Sequence, residues 1–191
     1  MRLLEDKIRS EGEILDDEIL KVDGFINHQV DVNLMEELGK DMARHFLGQG
    51  ITKVFTIESS GISPALFTAK YLNVPMVILK KQASKNLKTE VWQTEVVSYT
   101  KGTSYDLTLA KNYISDEDNI LIIDDFLANG EAATGAIRLI RKAHATVAGI
   151  GVLIEKSFQP GREKLEAQGI HVYAQARIKN MSKDSIEFEE N

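Results

Sequence analysis

The sequence predicts an α/β fold with a central, mainly parallel sheet flanked by helices. Three observations predict it. Short apolar runs recur along the chain, at 54–57, 76–79, 120–123 and 147–154. Segments with helical spacing alternate with them. The run Ile120-Leu121-Ile122-Ile123 contains no polar residue, the pattern of a strand buried on both faces.

The elements follow in chain order. Residues 2–10 read as a short first helix. Leu34, Leu38 and Met42 recur at helical spacing, with Met35 and Phe46 alongside, and predict a helix over 34–47. Asn33 is the expected cap, Glu36 stands at the capping-box position, and Gly48 is the expected stop. A strand at 54–57 runs into Glu58-Ser59-Ser60-Gly61, and Pro64 suits the first turn of a helix ending near Lys70. A strand follows at 76–79, then polar residues 81–119 with hairpin strands near 92–99 and 104–110. The buried strand at 120–123 leads through Asp124-Asp125 and Asn129-Gly130 into a helix with Ala132, Ala133, Ala136, Ile137 and Ile140 inward. Another buried strand is expected at 147–154, a helix near 161–168, a strand near 170–178, and an acidic tail after Lys183. No repeat, low-complexity tract or linker divides the 191 residues, so a single domain is expected.

Composition narrows the function. The absence of cysteine excludes disulfides, thiolate metal sites and a cysteine nucleophile. No apolar run reaches the ~20 residues that cross a bilayer, and the start lacks the layout of a signal peptide. A soluble cytoplasmic protein is the expected class. The formal net charge is −6, and residues 1–40 carry it all, with 11 acids against 5 bases. A nucleic-acid or anionic-membrane surface needs a basic face and is disfavoured. The four histidines, His28, His45, His144 and His171, show no metal-ligand spacing, and no metal-ligating cluster is expected. Neither a P-loop, a dinucleotide fingerprint nor a nucleophile elbow occurs.

In parallel sheets ligands bind beyond the carboxyl ends of the strands, which selects the loops at 58–61, 80–90 and 124–132. Asp124 and Asp125, side by side at the end of a buried strand, suit vicinal hydroxyls or Mg²⁺. The plainer alternative is that they cap the next helix. The turn from Ala128 to Ala132 opens that helix, and its free N–H groups and dipole make an anion site. A diol site beside a phosphate site describes a ribose phosphate. Glu58-Ser59-Ser60-Gly61 can hold a second anion, or be ordinary loop. Lys80, Lys81, Lys85 and Lys88 sit in a stretch with no acid and can close over a polyphosphate, or simply be solvated. Lys156 can meet an exocyclic oxygen of a planar base, with Phe126 or Phe158 as stacking surface. The alternatives are surface charge for Lys156 and core packing for Phe158.

The segment from the apolar strand through Asp124 to Ala132 resembles the 5-phosphoribosyl 1-pyrophosphate (PRPP) signature of the type I phosphoribosyltransferases. The stretches 20–23, 25–29, 56–62, 121–129 and 154–162 are similar to the bacterial xanthine-using branch of that family. The resemblance implies the type I phosphoribosyltransferase fold, with an N-terminal and C-terminal hood over the base site. It implies a hood of about 1–35 plus the C-terminal segment, a core of about 36–180 and a flexible loop of about 80–105. It also implies transfer of the phosphoribosyl group from PRPP to xanthine, giving xanthosine 5′-monophosphate and pyrophosphate in purine salvage. The alternatives are guanine, hypoxanthine or adenine as acceptor, or a non-catalytic regulator that senses the ribose phosphate. By the same resemblance Asp124 and Asp125 are the catalytic pair and hold the ribose hydroxyls. Ala128, Asn129, Gly130, Glu131 and Ala132 hold the 5-phosphate, and Leu20, Asn27 and Lys156 line the xanthine site. Mg²⁺ is the implied cofactor and a homodimer the implied assembly. One departure stands out: many relatives have Thr or Ser hydroxyls where this loop has Ala128 and Asn129, so backbone N–H groups must do more of the phosphate binding.

Overall fold

The computed structural model describes residues 1–81, 90–98, 102–183 and 185–190. Helix α1 (Arg2–Glu11) buries Leu4 and Ile8, one turn apart, and leaves its charged face outward. A small hairpin follows, with β1 (Glu13–Ile14) antiparallel to β2 (Leu20–Lys21). One π-helical turn spans Asp23–Asn27. Helix α2 (Val32–His45) buries Leu34, Met35, Leu38 and Met42. Its cap is Asp31, not Asn33. The Leu34 N–H donates to Asp31 Oδ1 at 3.1 Å, because a cap carboxylate reaches the N–H three residues on. Glu36 does not close a capping box. It accepts from Lys70 Nζ at 2.9 Å and from the Tyr71 hydroxyl, tying α2 to the next helix. The helix also ends at His45, earlier than Gly48.

Strand β3 (Lys53–Ile57), helix α3 (Ile62–Leu72) and strand β4 (Met76–Leu79) make the first crossover unit. The hairpin of β5 (Val91–Ser98) and β6 (Thr103–Ala110) follows, in continuous antiparallel register. Strand β7 (Asn119–Leu127), helix α4 (Glu131–Lys142), strand β8 (Thr146–Lys156), helix α5 (Gly161–Glu166), strand β9 (Val172–Ser182) and strand β10 (Ser185–Phe188) complete the chain.

The six-stranded sheet has the order β10-β9-β8-β7-β3-β4. Its only antiparallel pair is β9 with β10. The expected acidic tail therefore contains an edge strand. Ile186 and Phe188 alternate with exposed Ser185 and Glu187, which is the period of a half-buried strand. From β3 the chain steps to β4 on one side and then returns to place β7 on the other. This is the topological switch point where open α/β sheets bind ligands.

One apolar core lies on each face. Leu38 and Met42 of α2 meet Val54, Leu121 and Ile123 on one face. Ile137 and Ile140 of α4 meet Phe55, Ile122 and Ile150 on the other. Helix α2 lies directly on the backbone of β8. A Cβ on Gly149 would come 2.9 Å from the Phe46 ring, and one on Gly151 would strike the Met42 sulfur.

Candidate active site

Strand β7 continues four residues past the unbroken apolar run, because its pairing with β8 persists from Asp124 to Leu127. Asp124 and Asp125 are thus strand residues at the switch point and do not cap α4. The cap position belongs to Gly130, with no side-chain cap bond. Both carboxyls are part-buried, and the Asp125 N–H donates to Asp124 Oδ1 at 3.0 Å. Burial pushes Asp124 well above the ordinary carboxylate range, and the neighbouring Asp125 adds to it. Burial also pushes Asp125 upward. Two acids that resist ionising side by side favour a ligand that brings positive charge or hydroxyl donors.

The loop after β7 is shaped by Gly130, whose φ of +79° lies in the left-handed region that favours glycine. A Cβ there would approach Gly161 Cα to 3.1 Å. The Gly161 N–H in turn donates to the Ala128 carbonyl at 3.0 Å. Helix α5 therefore braces the loop from behind. The first N–H groups of α4 have no carbonyl partner within the helix, and Ala128, Asn129, Gly130, Glu131 and Ala132 line a cavity of about 440 Å³ together with Asp124. The structure thus brings Asp124 together with the predicted phosphate residues, while Asp125, its neighbour in the strand, is not among the residues lining this cavity. Glu131 leans away to Lys164, at 2.9 Å.

Thr103 and Tyr105 of β6, which the sequence did not single out, also line the cavity, and so does Lys81 of the expected lysine loop, just beyond β4. Burial and the Asp124 charge raise the Tyr105 hydroxyl's pKa. The alternation of β6 could have placed Thr103 and Tyr105 on one face. Glu58, at the end of β3, accepts from the Lys81 N–H at 2.7 Å and from Lys80 Nζ at 3.2 Å. Burial pushes this carboxyl up, but those donors outweigh it and the net shift is downward. The rest of the expected lysine loop, with Lys85 and Lys88, lies outside the described residues.

The expected base site is only partly assembled by contacts. Lys156, at the end of β8, sits with its Nζ 5.6 Å from the centre of the Phe126 ring. It donates to the Glu18 carbonyl of the β1–β2 hairpin. Burial lowers its pKa, and Glu18 and Asp16 partly offset that. Leu20, two residues beyond Glu18, is 7% exposed. Asn27 is exposed at the end of the π turn, and no hydrogen bond among the described residues ties its side chain to Lys156. Phe158 is 41% exposed, so it is not a core residue. Behind Lys156, buried Glu155 receives Arg162 through Nε at 2.8 Å and Nη2 at 2.6 Å, with Arg177 Nε at 3.3 Å.

Among the described residues no group of three His, Cys, Asp or Glu could hold a metal ion. The Asp124–Asp125 pair offers hard oxygens from only two carboxylates. That suits Mg²⁺ bound through one or two carboxylates plus substrate phosphate oxygens.

A parallel sheet with paired acids at its switch point, followed by a glycine-shaped anion loop, defines a type I phosphoribosyltransferase. The chain belongs to the phosphoribosyltransferase family: the family profile described as a phosphoribosyl transferase domain matches residues 28–173. It is 62% identical over 192 residues to a xanthine phosphoribosyltransferase of Agathobacter rectalis, covering 100% of both chains. It is 60% identical over 188 residues to xanthine phosphoribosyltransferase 1 of Clostridium botulinum, covering 98% of this chain and 99% of the relative. The fold superposes with a TM-score of 0.75 on an adenine phosphoribosyltransferase from Thermoanaerobacter pseudethanolicus, at 20% identity, covering 91% of this chain and 99% of that one.

Proposed function

We propose that this chain transfers the 5-phosphoribosyl group of PRPP to xanthine, releasing pyrophosphate and forming xanthosine 5′-monophosphate. The observation that carries the reading is the end-to-end identity of 62% with a xanthine phosphoribosyltransferase, over a site in which Asp124 and the anion loop line one cavity.

In the reaction a bond forms between a ring nitrogen of the base and the anomeric carbon. The bond from that carbon to the pyrophosphate oxygen breaks, and its electron pair leaves with pyrophosphate. The acceptor nitrogen's proton goes to solvent. Attack from the opposite face inverts the anomeric configuration. Asp124 and Asp125 receive the ribose hydroxyls and hold negative charge near the carbon as it becomes oxocarbenium-like. The backbone N–H groups of 128–132 hold the 5-phosphate. Asp124 and Asp125 are the carboxylates that would hold Mg²⁺ together with PRPP, and the ion would supply counter-charge to the leaving group. Lys81, which lines the cavity, adds to that charge. The β5–β6 hairpin and the segment about 80–105 exclude water from the reacting carbon.

For the base, Lys156 donates to an exocyclic oxygen of xanthine. Leu20 walls the ring and Asn27 reads an oxygen or ring N–H. Residues of about 1–35 and the C-terminal segment form the hood over it, and the remainder, about 36–180, forms the core. The protein acts in the cytoplasm as a homodimer. No described helix is long and apolar enough to cross a membrane.

One assay tests the reading. Purified protein with PRPP and Mg²⁺ is offered xanthine, guanine, hypoxanthine and adenine separately, and nucleotide formation is followed by chromatography. Xanthine should give the highest kcat/KM; a faster reaction with any other base overturns the assignment. Light scattering of the same sample should give about twice the chain mass of 21.3 kDa.

A further inference from the structure

Beneath the site is a buried hydroxyl without a partner among the described residues. Thr56 lies in β3 with 0% exposure, and none of those residues takes or gives a hydrogen bond at its Oγ1. A buried polar atom without a partner destabilises a fold by about 1–3 kcal/mol. Threonine has a near-isosteric apolar replacement, valine, that would avoid that penalty. The surroundings give the hydroxyl a use. Gly61 stands between Thr56 and Asp124. A Cβ on Gly61 would collide with Thr56 Oγ1, lie 2.8 Å from Asp124 Oδ1 and come 3.3 Å from Asp124 Cα. The missing side chain at 61 is what allows the hydroxyl and the carboxylate to stand on either side of one narrow gap. A side-chain rotation of Asp124, or one bridging water, spans that gap.

We propose that Thr56 is a positioning residue: its hydroxyl donates to the Asp124 carboxylate across the Gly61 gap and fixes the oxygens toward the ribose hydroxyls of PRPP. This deepens the function proposed above and rests on it. Thr56 touches no substrate. It acts through Asp124, as a buried support for a group whose orientation sets the reaction geometry. The hydrogen bond forms as the carboxylate is drawn toward PRPP, so its stabilising effect appears in the bound state. Gly61 is the second half of the arrangement, because any side chain there would fill the space the hydrogen bond needs.

The test compares Thr56→Val, Thr56→Ser and the parent protein. PRPP affinity is measured by calorimetry with Mg²⁺ and no base, alongside steady-state kinetics and thermal melting. Thr56→Val should weaken PRPP binding and lower kcat/KM for PRPP by about 10-fold to 100-fold, as expected for a lost hydrogen bond to a charged group. The KM for the base and the melting temperature should stay level, or the latter should rise. Thr56→Ser should restore the PRPP parameters. Gly61→Ala should lose PRPP binding as well. The proposal is overturned if Thr56→Val binds PRPP like the parent. It is equally overturned if Thr56→Val melts lower and Thr56→Ser is as impaired, which would mark a purely structural hydroxyl. Because PRPP binding is read without a base, a wrong assignment of xanthine shows separately, in the base assay.

Discussion

The proposed sugar-phosphate half and the proposed base half of the site are built in different ways. The first comes from one continuous stretch, Asp124 to Ala132, where a strand end becomes a helix start. Its ligand groups are two carboxylates and a row of backbone N–H groups, and its shape depends on Gly130 and Gly161. The second gathers Lys156, Phe126 and Leu20 from three separate segments, and its ligand groups are side chains. The proposed PRPP half is thus shaped by backbone geometry, and the proposed base half by side chains that can be exchanged one at a time.

That contrast can be broken or sharpened by substitution. Asp124→Asn should lower the transfer rate about 100-fold or more, since it removes a positioning charge at the reacting carbon. It should also stabilise the free protein at neutral pH. The folded-state pKa of Asp124 is raised, so the parent is most stable below the ordinary carboxylate pKa and loses stability as pH rises through the folded value. The melting temperature of Asp124→Asn minus that of the parent should therefore be larger at pH 7 than at pH 4. A variant that melts lower at pH 7 would contradict this account.

Glu155→Ala should cost about 3 kcal/mol in chemical denaturation, because it leaves Arg162 and Arg177 without the carboxylate between them. Glu155 adjoins Lys156, and Arg162 follows the Gly161 that braces the anion loop. Both KM values should rise together. A rise in only one would detach this ion cluster from the other half.

Gly130→Ala should raise KM for PRPP by about 10-fold through strain at positive φ, with KM for the base unmoved. The smallest effect should come from Lys156→Gln. Kinetics with xanthine should weaken by several fold to about 10-fold, while PRPP binding holds. Unchanged xanthine kinetics would remove Lys156 from the base site.

The same contrast explains what could be read from the sequence. Asp124, Asp125 and the 128–132 loop were legible because an apolar strand, two acids and a small-residue turn stand next to each other. The parallel core strands were legible for the same local reason, and 76–79 matches its strand end to end. The β1–β2 hairpin was not, because two-residue strands carry no periodicity. Strand β10 hid in an acidic tail whose only signal was the alternation of Ile186 and Phe188. Asp31 outcompeted Asn33 as a cap through a three-residue reach that either residue could have supplied from its own position. Tyr105 reaches the cavity through tertiary packing of the β5–β6 hairpin, which the alternation within β6 does not fix by itself. Asn27 came from resemblance alone, and no hydrogen bond among the described residues brings it to Lys156.

Gly149 and Gly151 have a consequence for the history of such chains. They leave β8 bare where the Phe46 ring and the Met42 sulfur rest on it. Neither side of that contact can drift by itself. A larger residue at 149 demands a smaller one at 46, and the same holds for 151 with 42. In an aligned set of relatives these positions should covary as two reciprocal pairs, recording how closely a helix has been pressed against a strand.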